Sequence, residues 1–115
     1  MSTTHTDYPF NTDAAPATIE RGEMPPLRTP GTTEFFESDT YATVRLGGIT
    51  ADVLRLSYWD PRDGAERVGV EYEVHINGVP QTCGLAAIVA DKPDTLIDLA
   101  SVCAAAAALL VAAQR

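Results

Sequence analysis

The C-terminal segment LASVCAAAAALLVAAQR constrains the fold of this chain more than any other stretch. No residue between Leu99 and Ala113 is charged, so a helix formed here is apolar on almost every side. Such a helix is normally buried all round. Because one face of a small sheet covers a single stripe of a helix, the sequence predicts a second partner for the remaining surface.

The preceding residues, DKPDTLID, carry the signals of a helix start. Thr95 and Asp98 are typical of a capping box, and acidic residues in the first turn suit the helix dipole. The periodicity predicts a sheet-facing stripe of Leu96, Leu99, Cys103, Ala106, Leu110 and Ala113. Ile97, Val102 and Leu109 fall outside it and are predicted to contact a second copy or another protein. The alternative is that the N-terminal segment or the first strand folds over this face within one molecule.

Four segments between residues 34 and 90 have strand character. The clearest, RVGVEYEVHI, alternates without a slip: Val70, Tyr72, Val74 and Ile76 share one face, and the charged residues share the other. Asn77-Gly78 then gives a strong hairpin signal. The segment that follows, QTCGLAAIVA, is apolar on both faces and is predicted to be a central strand.

The two earlier strand segments are EFFESDTYATVRL and ITADVLRLSYW, separated by Gly47-Gly48. In the second, Leu54, Leu56 and Tyr58 alternate inward, whereas the residues before them fit the opposite phase. This change predicts a β-bulge near Asp52. The DPRDG segment after it predicts a turn in which Gly64 adopts a left-handed conformation.

The chain divides near residue 33. Residues 1–33 hold five of the eight prolines and no sustained apolar period, which predicts an extended or disordered arm. Residues 34–115 are predicted to form one small α+β domain, a four-stranded, mainly antiparallel β-meander with one C-terminal α-helix packed on one face. Tyr8, Phe10 and Leu27 are the predicted contact residues of the arm. Trp59 is predicted to lie at an interface or beneath the arm.

The charge balance argues against several classes of partner. The chain has 16 acidic and 8 basic residues and a net charge of −8, which disfavours binding to nucleic acid or to anionic membranes. The apolar run after Asp98 is shorter than the roughly 20 residues that span a bilayer. The N-terminus has neither a basic start nor an apolar core, so we expect a cytoplasmic or virion protein rather than one secreted by a signal peptide.

The candidates for a metal site are weak. Glu71, Glu73 and His75 lie in a row on one strand and cannot surround an ion without help from a neighbouring strand. We interpret them as a solvated acidic face. Asp60 and Asp63 do not recur at the spacing of a calcium loop and are explained by turn formation. The sequence therefore predicts neither a metal nor a cofactor.

The two cysteines, Cys83 and Cys103, match no metal-binding spacing and are interpreted as buried free thiols. A disulfide between them requires that strand and helix place them face to face. Cys83 with His75 as a base is the best nucleophilic pair available, but apolar neighbours raise the pKa of such a thiol and leave it inert. The chain is therefore not expected to be an enzyme.

These observations favour a non-catalytic structural or assembly protein. A small bacteriophage virion component, capsid-associated or of connector type, fits an arm and an apolar helix face that contact neighbouring molecules. The alternative is an acidic dimeric chaperone or adaptor that binds one protein partner. Either role implies a protein partner, a homo-oligomer or both.

Overall fold

The computed structural model describes residues 17–79 and 93–115. Its main elements are β1 (Thr18–Arg21), β2 (Phe35–Leu46), β3 (Ile49–Trp59), β4 (Gly69–Asn77) and α1 (Pro93–Ala113). The strands form one antiparallel sheet in the order β1-β2-β3-β4, and α1 packs chiefly over β2 and β3. The predicted α+β class, a four-stranded antiparallel sheet with a C-terminal helix on it, is confirmed.

One of the four strands differs from the prediction. β1 comes from residues 18–21 and pairs with β2, so that Ile19 lies opposite Val44. The expected division at residue 33 therefore does not separate the sheet from the segment before it. The strand predicted over residues 81–90 lies outside the described residues.

The predicted bulge is found in β2 rather than in β3. The register passes from Thr40 opposite Leu54 to Ala42 opposite Val53, which leaves Tyr41 as the extra residue. β3 pairs with β4 without interruption. The two apolar phases in the sequence of β3 have another cause: this strand carries buried apolar residues on both faces, with Val53 0% exposed on one and Leu56 7% exposed on the other.

The core lies between α1 and the sheet. Its buried residues are Ala42, Val44, Ile49, Ala51, Val53, Val102, Ala106 and Leu109. Val102 is 0% and Leu109 5% exposed, whereas Leu96 is 53% exposed. The predicted helix phase is therefore wrong: Val102 and Leu109 face the sheet. No charged side chain marks a solvent side between residues 99 and 113, so the periodicity had no reference for its phase.

Two turns position the elements around this core. Gly47, in the β2–β3 hairpin, has φ +60°, and a Cβ there would lie only 2.8 Å from Oδ2 of Asp98. Glycine thus permits both the left-handed turn and the close approach of α1. After β3, a short 3-10 helix (Pro61–Asp63) ends at Gly64 with φ +71°, which confirms the predicted turn.

The alternation predicted for β4 is confirmed. Val74 lies opposite Val53 on the face that carries α1, hereafter the α1-side face, and Val70, Tyr72 and Ile76 share that face by register. Glu71, Glu73 and His75 point to the opposite face. Val70 and Ile76 remain more than a third exposed because α1 lies mainly over β2 and β3.

Candidate interaction surfaces

On β2 and β3, the half of the α1-side face that α1 does not reach is covered by residues 22–33, hereafter the arm segment. Nη2 of Arg55 donates to the carbonyl oxygen of Pro25 at 2.8 Å, and Nε1 of Trp59 donates to that of Gly31 at 3.0 Å. Arg55 and Trp59 share this face with Val53 because β3 alternates regularly. The sequence left open whether Trp59 meets a partner or the arm; in the structure it lies against the arm.

Ion pairs support this cover. Nη1 of Arg28 lies 3.3 Å from Oε2 of Glu37, and its guanidinium is 4.3 Å from the ring centroid of Phe35. Nη2 of Arg55 lies 3.2 Å from Oδ2 of Asp39, and both side chains are largely buried. Nε of Arg55 is also buried and has no hydrogen-bond partner among the described residues. The contacts of the arm segment are thus mainly polar.

The sequence also predicted three contact residues in the N-terminal arm, Tyr8, Phe10 and Leu27. Leu27 lies in the arm segment and is 43% exposed. Tyr8 and Phe10 lie outside the described residues. Leu27 is thus the one predicted contact residue of the arm that the structure describes, and part of its apolar surface is exposed.

The surface of α1 that points away from the sheet is apolar. We define the outer α1 face as the exposed stripe Leu96, Ala100, Cys103, Ala104, Ala107 and Val111. Its two large residues, Leu96 and Val111, are 53% and 52% exposed. Of the helix residues predicted to contact a partner, Ile97 is half-buried and Val102 and Leu109 lie in the core. The free surface therefore consists partly of residues that were assigned to the sheet side.

The cysteine at the centre of this stripe is accessible. Cys103 is exposed and unbridged, so the prediction of a buried thiol is wrong for it, because it rested on the same helix phase. Cys83 lies outside the described residues. No base is placed beside the Cys103 thiol on the outer α1 face, whose other members are Ala, Leu and Val.

The helix also has the length and composition of a membrane span. α1 has 21 residues. Of the residues in its most apolar stretch, 17% are buried. The core helix of a soluble protein has the same character. Here Val102 and Leu109 are packed into the core with the sheet, whereas most of the helix is not buried.

A second apolar surface lies on the opposite face of the sheet. We define the open sheet patch as Phe36, Leu54 and Tyr58. Phe36 lies directly opposite Tyr58, and they are 67% and 39% exposed. Such cross-strand aromatic pairs stabilise a sheet. Sequence reasoning placed Leu54 and Tyr58 inward and missed Phe36, although alternation in FFESDT puts Phe36 on the same face as Ser38 and Thr40.

The open sheet patch borders the acidic residues of β4. The hydroxyl of Tyr58 donates to Oε1 of Glu71 at 3.3 Å, and the negative charge of Glu71, followed by this hydrogen bond, raises the pKa of Tyr58. Nε2 of His75 lies 2.7 Å from Oε2 of Glu73. Within residues 17–79 and 93–115, no three His, Cys, Asp or Glu side chains are grouped to hold a metal ion.

A cluster of charged side chains joins the end of the arm segment to the β3–β4 connection. The guanidinium of Arg62 donates to both carboxylate oxygens of Asp60 and, through Nη2, to Oε2 of Glu34 at 2.9 Å. Hydrogen bonds from the side chain and the backbone N–H of Arg62 lower the pKa of Asp60. These contacts account for Asp60 as a turn residue.

The described residues thus combine two exposed apolar surfaces with polar groups that are engaged in ion pairs and turns. This arrangement is suited to contacts between proteins. Comparison of the chain with protein-family models, with curated proteins and with solved structures found no match.

Proposed function

We propose that this protein is a non-catalytic assembly protein that contacts neighbouring protein molecules on two opposite sides. The observation that carries the proposal is the position of the two apolar surfaces. The outer α1 face lies on the outside of the helix layer, and the open sheet patch lies on the far side of the sheet. Leu96, Val111 and Phe36 are each more than half exposed.

Two surfaces on opposite sides favour repeated contacts. A chain with one adhesive surface stops at a dimer or a single complex, whereas a chain with two continues into a ring, filament or lattice. A small capsid-associated or connector-type component of a bacteriophage virion is the form of this role that we propose. An acidic chaperone or adaptor needs only one such surface. The net charge of −8 would oppose non-specific association of free copies.

Sedimentation velocity over a wide concentration range tests the proposal. We expect species larger than a dimer at high concentration. Phe36→Ser should remove the contact at the open sheet patch, and Ala104→Glu should remove the contact at the outer α1 face. Each variant alone should then stop at a smaller species. The wild-type chain remaining monomeric at every concentration would contradict assembly, and a fixed-stoichiometry complex with one soluble protein would favour the adaptor.

A further inference from the structure

We propose that the outer α1 face pairs with the same face of a second copy, antiparallel, about a twofold axis beside Cys103 and Ala104. This inference rests on the proposed function, because it names the occupant of one of its two surfaces. It is carried by the arrangement of side chains along the helix and by the charges at the helix ends.

The outer α1 face is palindromic in side-chain size. Each residue has a counterpart at the same distance from the Cys103–Ala104 peptide bond. The pairs are Leu96 with Val111, Ala100 with Ala107, and Cys103 with Ala104. The large residues lie at the two ends and the small ones in the middle. A twofold axis at the centre therefore brings Leu96 of each copy against Val111 of the other, as a self-complementary interface requires.

The small central residues determine how closely two such helices approach. The four members at the centre of the outer α1 face are all small: Ala100, Cys103, Ala104 and Ala107. Helix axes approach to about 8 Å where the contacting side chains are small. At that distance the larger end residues reach across and bury their exposed apolar surface.

The charges at the helix ends favour an antiparallel pair. Asp94 is exposed in the first turn of α1, and Arg115 is exposed just beyond its last turn. No charged side chain lies on the outer α1 face between them. An antiparallel pair sets Arg115 of each copy near Asp94 of the other and opposes the two helix dipoles. A parallel pair would bring like charges together at both ends.

A second copy fits this surface better than a bilayer does. To enter a membrane, α1 would have to leave the sheet and expose the apolar core around Val102 and Leu109. Pairing of the outer α1 face leaves that core intact. The alanine-rich stripe also offers little apolar area per residue to lipid, whereas it allows close packing against another helix.

Thiol cross-linking of the full-length chain tests this arrangement. In a Cys83→Ser background, we expect mild oxidation or a short bis-maleimide to link the chain into dimers through Cys103. In a background that lacks both native cysteines, Ala100→Cys alone and Ala107→Cys alone should link poorly. In the antiparallel pair, the two copies of residue 100 lie about 10 Å apart along the helix axis, the rise of seven residues, and so do the two copies of residue 107. A mixture of the two variants should link efficiently into heterodimers.

The pattern distinguishes the outcomes. Self-linking at all three positions indicates a parallel pair and overturns the antiparallel arrangement. Association in the ultracentrifuge without linking at any position also overturns it, while the proposed assembly function survives through another surface. A monomer that neither associates nor links contradicts both proposals. Flotation with phosphatidylcholine vesicles in place of thiol pairing overturns the inference in favour of a bilayer.

Discussion

The α1-side face of the sheet is covered in two different ways. Over one half, α1 buries apolar residues such as Val44 and Val53 completely. Over the other half, the arm segment is held by hydrogen bonds to Arg55 and Trp59 and by the ion pair of Arg28 with Glu37. Full burial of one Val or Leu side chain contributes about 1.5–3 kcal/mol, whereas a hydrogen bond contributes only about 1 kcal/mol net. The difference indicates that α1 supplies most of the stability, and that the polar contacts determine where the arm runs.

The boundary between the two halves lies at the bulge in β2. There the chain leaves β1 at Gly22, whose N–H donates to the carbonyl oxygen of Tyr41 at 3.0 Å. A Cβ on Gly22 would collide with the carbonyl oxygen of Thr40. The extra residue in β2 and the missing side chain at Gly22 together let the arm segment pass closely over the sheet.

The largest effect is expected in the half that α1 covers. Leu109→Glu places a carboxylate in the core, and we expect a loss of more than about 4 kcal/mol in the free energy of unfolding, enough to unfold a small domain. Ala108→Glu, on the exposed side of the same turn, is the matched control and should leave the fold intact. Circular dichroism and thermal melting measure both. Equal stability of the two variants would show that α1 does not pack on the sheet through Leu109.

A smaller effect is expected where polar contacts hold the arm. Arg55→Met removes the partner of Asp39 and the donor to Pro25, and we expect a loss of about 1–3 kcal/mol by urea unfolding. The double variant Arg55→Met/Asp39→Leu should recover part of this loss, because it leaves no unpaired charge under the arm. If the double variant is the less stable of the two, an unpaired Asp39 is not the cause of the loss.

The sequence predicted correctly which side chains share a face of the sheet where polar and apolar residues alternate. In β4, polar and apolar residues alternate, so the faces of Val74 and Glu73 were predicted correctly. In α1, no charged residue beyond Asp98 marks the solvent side, and the phase was wrong for Val102 and Leu109. The course of the arm could not be predicted, because Arg55 and Trp59 bind backbone carbonyl groups, which every residue has.

The open sheet patch could not be predicted from the sequence either. Phe36 and Tyr58 become neighbours only through the register of β2 on β3, which the bulge at Tyr41 shifts by one residue. Sequence alternation within a single strand does not contain that register. The palindrome on α1, in contrast, was present in the sequence, but it becomes visible only once the exposed side of the helix is known.

A more local substitution should disturb the half of the sheet that the arm segment covers and leave the half under α1 intact. Gly22→Ala should displace the arm segment, because the added Cβ cannot fit against Thr40, and we expect a loss of about 1–2 kcal/mol from the arm contacts. Trp59 is the only tryptophan in the chain, so its fluorescence reports the cover directly. Its emission should shift to the red while the helical circular dichroism signal stays unchanged. Gly31→Ala, which adds a Cβ in open space, is the control. Loss of the helical signal in Gly22→Ala would show that the two halves form one cooperative unit.

The smallest effect is expected from pH, and it also distinguishes the two halves. The pKa of Asp60 is lowered by its hydrogen bonds with Arg62, so its contribution to stability is present above the usual carboxyl pKa of about 4. That contribution is lost as the pH falls through the lowered value in the folded state. Because Arg62 also binds Glu34, protonation of Asp60 should loosen the end of the arm segment beside Trp59, whereas the apolar contacts under α1 have no such dependence. We expect a small red shift of Trp59 emission in acid that precedes any loss of helical signal. Asp60→Asn should show much of this shift already at neutral pH. If emission and helical signal change together in both proteins, acid acts on the whole domain, and the arm-covered half is not a separately weakened part of the sheet.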